Sequence, residues 1–444
     1  MKKFKLSGFL IIFLSLVSIQ LEAQTGNQSI TQDTTGVDAS DNFWTQSRMT
    51  GTWGGARGKL WKNNGIAIRG SLANFYQGMV SGNSNNDFEF GSKFAVTTIF
   101  NGEKLGLWKG FFTIARMEYN MGHSANNRGG TAFPVNAAMA YPGIEGADRW
   151  DMNIYFIQFL SKTDKIVFGK INNLDLGNFS SFSGGLGMRH FMNNVFVGPP
   201  NGISVPYVFG AYYMSGNEKR DFAFAVYDSN SRVNKLGFED LFQDGLTFYG
   251  SGNINTNFFG KKGKHGIIAV ASTKEVKNFN ELDDFFPPSG EALEKTSRRW
   301  SLNYFFEQTL FVNPDKKSQK FGVFGLIGFT DGKGSYADHY FQLGMSGNNP
   351  FIKSRHQDRW GIAFAHLSFP DGLSEFTIPT IPDVFPGLEV NDGETILEAY
   401  YSAQLTPWVS VGINYQYVVS GITEAFGNRN DNVSFLGFRS IIKL

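Results

Sequence analysis

The feature that most constrains this chain is an alternation of apolar and polar residues that returns along most of its length. In Ile66–Tyr76 and Phe88–Phe100, large apolar side chains recur at every second position on one face, with polar or small residues between them. A period of two places neighbouring side chains on opposite faces of a β-strand. The pattern therefore predicts an all-β protein, and it disfavours α/β folds because no long helical period interrupts the series.

About sixteen segments of roughly ten residues carry this alternation, and sequence rich in Asn, Gly, Asp and Ser separates them. Besides the two segments above and those that begin at Trp300 and Val409, they are 110–120, 153–161, 165–172, 204–214, 221–228, 245–257, 265–275, 320–330, 339–346, 359–369, 394–405 and 432–444. Strands of about ten residues, joined by short turns at one end and longer loops at the other, are typical of outer-membrane proteins. We therefore predict a transmembrane antiparallel β-barrel of about 16 strands.

The N-terminus predicts export from the cytoplasm. Three lysines within the first five residues precede an apolar run from Leu6 to Ile19, and the small residue Ala23 ends the segment. This is the pattern of a secretory signal peptide, and the run is shorter than the roughly 20 residues of a membrane-spanning helix. We expect a signal peptide over residues 1–23, a polar N-terminal arm over 24–50 and an outer-membrane barrel over 51–444.

Alternation alone does not separate a membrane barrel from a soluble β-sandwich, because an apolar face can point to lipid or to a protein core. Charged residues within the segments favour the barrel, since a sandwich core tolerates few unpaired charges. Aromatic residues near segment ends, such as Trp300, Trp360 and Trp408, favour it too, because their rings are stabilised at headgroup depth. The 45 phenylalanines would then cover lipid-facing rows, and the 52 glycines would serve turns and the lumen side.

The charge balance and the residue types bound the chemistry. The chain has 40 Lys and Arg against 39 Asp and Glu, which gives a net charge of +1, so it offers no basic field for nucleic acid. It has no cysteine, which excludes a disulfide scaffold and a thiolate metal site. The histidines are scattered, and neither metalloprotease spacing nor a Gly-x-Ser-x-Gly elbow occurs. We therefore expect a non-enzyme with no catalytic residue, no metal and no cofactor.

Two motifs near opposite ends of the chain carry a family resemblance. Trp53, Gly54, Gly55 and Arg57 form a Trp-Gly-Gly-x-Arg motif, and a Gln-Leu-Thr-Pro-Trp motif ends on Pro407 and Trp408. With them the chain resembles the carbohydrate-selective porin family of Gram-negative outer membranes, in patches from about Trp53 to Leu444. Other resembling stretches are Asn64–Ile68, Val80–Gly82, Leu107–Gly110, Gly169–Lys170, Leu176–Phe179, Phe222–Asp228, Glu394, Leu397–Glu398, Tyr400–Tyr401, Gln416–Val418 and Leu436–Arg439.

The resemblance implies passive, carbohydrate-preferring diffusion of small hydrophilic solutes through a sixteen-stranded channel in the outer membrane. The implied partners are small sugars and outer-membrane lipid, and association into a homo-oligomer stays open. The chain departs from the family at Lys170, where Arg is common, at Val419–Gly421, and at Leu444, where outer-membrane barrels usually end on Phe. The alternative is a barrel whose surface loops bind a ligand or partner without open-pore conduction.

Seven charged residues on the predicted inner face are our candidates for pore-lining groups: Arg69, Glu89, Lys93, Arg116, Glu118, Glu398 and Arg439. A sugar pore needs fixed charges and hydrogen-bonding side chains at its constriction. Two long segments, Met121–Gly146 and Phe182–Pro200, could fold inward and narrow the pore, but we expect each to be a plain extracellular loop. We expect Trp108 and Trp150 in the aromatic girdles rather than in a path for sugars.

Overall fold

Sixteen strands of the computed structural model form one closed antiparallel barrel. The structure describes residues 42–82, 86–126, 128–143, 149–176, 180–279, 295–374, 377–378, 388–425 and 428–444, so the predicted signal peptide and most of the predicted arm lie outside the described residues. Its sixteen strands are β1 (Ile66–Ser81), β2 (Phe88–Asn101), β3 (Phe111–Gly122), β4 (Trp150–Phe159), β5 (Asp164–Asn172), β6 (Tyr207–Gly216), β7 (Arg220–Asp228), β8 (Leu246–Phe258), β9 (Lys261–Ser272), β10 (Arg299–Val312), β11 (Lys320–Thr330), β12 (His339–Asn348), β13 (Arg359–Ser368), β14 (Gly393–Thr406), β15 (Val409–Val419) and β16 (Asn432–Lys443).

Each barrel strand pairs with its neighbours in sequence, and the last strand closes on the first. The β1–β16 seam pairs Leu72 with Ile442 and Tyr76 with Phe438. All sixteen segments that the alternation predicted overlap one of these strands, so the predicted fold class is confirmed. Closure pairs both edges of the sheet, which satisfies backbone groups that would otherwise face lipid.

The two ends of the barrel differ. Short connections such as 160–163 and 407–408 join strands at the end where β1 begins, which we call the turn end. Long connections lie at the opposite end, the loop end, and two of them are central below: loop A, residues 123–149, and loop B, residues 173–206.

Outside the barrel, the described residues form short elements. The helices are α1 (Ala56–Lys59, continued by a π-helical turn at Leu60–Asn64), α2 (Ala137–Ala140), α3 (Asn173–Leu176) and α4 (Asp371–Ser374), with 3₁₀ turns at Asn194–Phe196 and Lys353–Arg355. Loop-end strands form a two-stranded sheet (Val276–Lys277, Lys295–Thr296) and a four-stranded sheet (Thr377–Ile378, Leu388–Val390, Ile422–Ala425, Asn428–Arg429). No helix among the described residues is long and apolar enough to cross a membrane.

The two faces of the barrel wall follow the predicted alternation, as strand β12 illustrates. Phe341 and Leu343 point outward and are exposed, whereas Tyr340 and Gln342 point inward and are buried. The same outward exposure of large apolar side chains is found at Phe90 and at other positions around the wall. Large apolar side chains exposed on the outer face are the arrangement of a membrane barrel and the inverse of a soluble sandwich.

The end of the predicted arm lies against the turn end of the last strands. The Met49 amide donates a hydrogen bond to the Lys443 carbonyl at 2.8 Å, and the Trp408 indole donates to the Phe43 carbonyl at 2.8 Å. The rings of Phe43 and Trp408 also meet edge to face, with centroids 4.8 Å apart. The chain before the barrel therefore covers the turn between β14 and β15, where the second motif lies.

The first motif lies at the same corner of the barrel. The Arg57 guanidinium is buried, stacks 4.4 Å from the centroid of the Trp53 ring and donates to the Leu444 carbonyl at 3.4 Å. The Lys443 ammonium donates to the Pro407 carbonyl at 3.0 Å. The two motifs, far apart in sequence, thus meet where β16 closes on β1, and both contact the end of the last strand.

Candidate functional site

Loop A folds into the barrel from the loop end. Its short helix α2 is buried along its whole length, and the side chain of Asn136 caps it by accepting a hydrogen bond from the Met139 amide at 3.3 Å. From the wall, Lys93 and Asn120 donate to the Tyr141 carbonyl at 2.6 and 2.8 Å. Loop A therefore crosses the lumen beside β2 and β3.

A glycine permits loop A to pass close to the wall. Gly130 has a φ of 69°, in the left-handed region that a side chain disfavours. Its carbonyl accepts a hydrogen bond from the Ile422 amide at 2.9 Å, and a Cβ at this position would collide with the Ile422 carbonyl. Glycine is thus required where the loop touches the base of the connection between β15 and β16.

Loop B packs apolar side chains against the inner wall of the later strands. Phe182, Phe191 and Phe196 are buried, and the Phe191 ring lies 5.7 Å from that of Phe324 and 5.0 Å from that of Tyr400, centroid to centroid. The wall and the loop therefore form a packed core inside the barrel. The expectation of plain extracellular loops at Met121–Gly146 and Phe182–Pro200 is wrong: inner-wall residues bind both loops inside the lumen.

His190 is buried in the interior of loop B. Its Nδ1 lies 3.2 Å from the Tyr400 hydroxyl, and the ring is buried. Burial, together with the positive charges of Arg359, Arg189 and Arg439, holds the pKa of His190 well below its usual range. The ring is therefore neutral at physiological pH and belongs to the packing of the loop.

Charged side chains gather on the inner faces of β2 and β3. The Glu118 carboxylate lies 2.9 Å from the Arg116 guanidinium and 3.2 Å from the Lys93 ammonium, and all three side chains are buried. It also accepts hydrogen bonds from the Asn172 amide at 3.1 Å and the Tyr207 hydroxyl at 3.3 Å. These residues, which we call the Glu118 cluster, join both signs of charge on four rigid strands.

A second ion pair extends the polar region along the wall. The Lys170 ammonium lies 2.6 Å from the Asp151 carboxylate, which also accepts the Asn234 amide at 2.9 Å. Asp151 is the register partner of Glu118 across β3 and β4. Lys170, where the family commonly has Arg, thus still supplies a cation to the inner wall.

The structure separates the seven candidate residues into groups. Arg69, Lys93, Arg116 and Glu118 lie on the inner faces of the first three strands, where Thr97 pairs with both Arg69 and Arg116. Glu89 lies nearer the loop end and forms an ion pair with Arg128 of loop A.

The other two candidates, Glu398 and Arg439, are inner-face residues of β14 and β16 that loop B covers. Arg439 is the register partner of Phe75 on β1, so these late strands adjoin the first one as closure required. Both side chains are buried and contact the backbone of loop B.

Three buried wall residues that contact loops A and B were not among the seven candidates. They are Glu394 and Gln416, which the family resemblance named without a role, and Gln342, which sequence reasoning missed. A polar residue on the inner face of a predicted strand was the available signal, but nothing in the sequence says that a loop lies opposite. Trp108 and Trp150 are both exposed. No group of three or more His, Asp or Glu side chains in the described part of the chain could hold a metal ion.

Comparison with known proteins places this geometry in a family. The sequence matches the profile of the carbohydrate-selective porin, OprB family, over residues 26–444. The chain belongs to this family. Two solved structures of Pseudomonas putida OprB share the fold of this carbohydrate-selective porin. The high-pH structure is 17% identical, with a TM-score of 0.76 over 91% of this chain and 100% of that chain.

The low-pH structure of Pseudomonas putida OprB is 13% identical, with a TM-score of 0.53 over 90% of this chain and 99% of that chain. The comparison with curated protein sequences found no match. As a carbohydrate-selective porin, the chain lies in the outer membrane and passes small hydrophilic solutes, sugars preferred, by passive diffusion. The fold is that of a transport channel.

Proposed function

We propose that the Glu118 cluster, together with Arg69, forms the selective section of the sugar path through this porin. The observation that carries the proposal is the meeting of Glu118 with Lys93, Arg116, Asn172 and Tyr207 on the inner wall beside loop A. A ring of one sign would select ions of the opposite sign. A mixed cluster places charges of both signs behind the path, which suits neutral sugars because it does not select strongly for ions of one sign. Its side chains are buried, so the cluster acts through its electric field and through loop A, which Lys93 binds.

The rigidity of the wall supports this role. The cluster stands on β2, β3, β5 and β6, whose ladders hold each backbone in place. Fixed polar groups select a solute more sharply than groups on mobile loops, because no ordering cost accompanies binding. We further propose that the exposed outer face, with Phe90, Phe341 and Leu343, contacts the acyl chains of outer-membrane lipid. No catalytic residue enters this mechanism, since diffusion needs only a path and its lining.

Ion and sugar selectivity of single channels test the proposal. In Glu118→Gln the cations of Lys93 and Arg116 lose their carboxylate, so the channel should shift toward anions, and sugars should block its current with an affinity about tenfold weaker. Arg116→Gln should shift ion preference the other way while it also weakens sugar block. Lys62→Gln, at an exposed site of the turn end, is the control. Unchanged ion preference and sugar block in both cluster variants would sink the proposal.

A further inference from the structure

The backbones of loops A and B place polar groups inside the barrel, and these groups need partners there. A buried amide without an acceptor is costly, because it loses its hydrogen bond to water and gains nothing. Three of the acceptors that the inner wall supplies are glutamate carboxylates. Glu394 and Glu398 of β14 are completely buried, and Glu307 of β10 is half-buried.

Glu398 binds the backbone of loop B. Its two oxygens accept the amides of consecutive residues, Met192 at 2.5 Å and Asn193 at 2.9 Å. The side-chain amide of Asn414 on the next strand donates to the same carboxylate at 2.5 Å and so fixes its orientation. One wall carboxylate thereby binds two neighbouring peptide groups of the loop.

Glu394, two periods of the alternation before Glu398 on the same strand, holds loop A in the same manner. Its oxygens accept the amides of the consecutive residues Ala132 at 2.5 Å and Phe133 at 3.1 Å. The Gly421 amide also donates to this carboxylate at 3.2 Å. A single strand therefore anchors both inward loops through two carboxylates four residues apart.

Glu307 of β10 binds loop B at Ser180 and Ser181, where the described residues resume after Leu176. It accepts the Ser181 amide at 2.6 Å, and the hydroxyl groups of Ser180 and Ser181 at 3.0 and 3.2 Å. Loop B is thus held at two wall strands, β10 and β14, which lie four strands apart around the barrel. Two separate attachments restrict where the loop lies in the lumen.

The wall also supplies donors where the loops present carbonyls. Gln416 donates to the Val135 carbonyl of loop A at 2.8 Å, and Gln342 donates to the Val195 carbonyl of loop B at 2.6 Å. Arg439 donates to the His190 carbonyl at 2.5 Å. Acceptors on the wall meet loop amides and donors meet loop carbonyls, so the inner wall is complementary to these two loops.

We propose that Glu307, Glu394 and Glu398 are positioning residues that hold loops A and B across the lumen and thereby set the cross-section of the pore. The proposal rests on the proposed function as a sugar-selective channel and deepens it. None of the three needs to touch the solute, because each acts through the loop that it binds. The backbones of Glu307 and Glu398 are paired on both sides, and Glu394 pairs with Leu367 of β13, so the strands are paired without use of the carboxylates.

Isosteric variants of the full-length protein in planar bilayers test the proposal. Glu394→Gln and Glu398→Gln keep shape but replace one acceptor oxygen by an amide that faces the loop N–H groups. We expect higher mean conductance, more open-channel noise and weaker sugar block, with unchanged heat-modifiable mobility on gels because the barrel stays folded. Glu103→Gln, an exposed glutamate on a turn-end connection, should behave as wild type.

Hydrogen exchange of the unmodified protein gives a second measurement that needs no variant. The amides of residues 132–133 and 192–193 should exchange about tenfold or more slowly than those of the exposed loop stretch 236–240. Equal exchange there, or folded Gln variants with wild-type conductance and noise, would overturn the positioning role. A wild-type protein that forms no pore would instead refute the proposed function, so the two failures are distinguishable.

Discussion

At the scale of single residues, sequence reasoning identified several important positions without their reasons. Arg57 was singled out by its motif, but its partner, the Leu444 carbonyl, is 387 residues away in sequence. Glu398 was singled out as an inner-face charge, and that placement holds, yet its contacts are loop amides. A residue's face follows from local periodicity, whereas the partner it meets depends on chain segments that local periodicity does not describe.

The corner where the two motifs meet yields a stability prediction. Arg57→Ala removes a buried guanidinium that contacts Leu444 and the Trp53 ring. We expect a loss of roughly 1–3 kcal/mol in the free energy of unfolding, because the terminal carbonyl loses a charged donor. The temperature at which the compact form disappears from unboiled gels measures it. Lys59→Ala, at the exposed position of the same helix, is the matched control, and equal melting of both variants would contradict the role of Arg57.

At the scale of elements, the strands were predictable and the loops were not. Each strand can be recognised from about ten residues of sequence, because alternation is a local property of the chain. The inward course of loop A depends on Glu394, which lies 262 residues from the Ala132 amide that it binds. The apolar residues of loop B are equally compatible with a surface loop that packs on itself. The course of these loops follows from contacts with distant wall residues and with each other.

The outward face of the strands gives a prediction about the surrounding solvent. Leu343 lies in the middle of β12, with 55% of its surface exposed. Leu343→Arg should destabilise the barrel in lipid vesicles by about 2–4 kcal/mol, because a charge at the bilayer midplane is costly. Denaturant unfolding from vesicles measures this change. Phe259→Arg, at a turn tip where the side chain is 98% exposed, should have little effect. If Leu343→Arg were equally harmless, that face would be in water.

At the scale of the whole molecule, the net charge of +1 reflects in part ion pairs inside the barrel. The net charge argued against a nucleic-acid partner, but it did not reveal that opposite charges pair inside the barrel. Glu118 pairs there with Lys93 and Arg116, and Asp151 pairs with Lys170. The two loops then leave a lumen whose size depends on contacts with the wall. The sequence predicted a barrel with a polar inner face, and the structure adds that much of its interior is packed protein.

Single-channel recording of the purified protein in planar bilayers, with sugar added, tests the central claim most directly. The account predicts discrete open-channel steps whose current falls as a neutral sugar such as glucose occupies the constriction, with sugar flux in a matching liposome-swelling assay. Absence of open-channel current together with absence of sugar flux would contradict it, and would favour a barrel that acts through its surface loops.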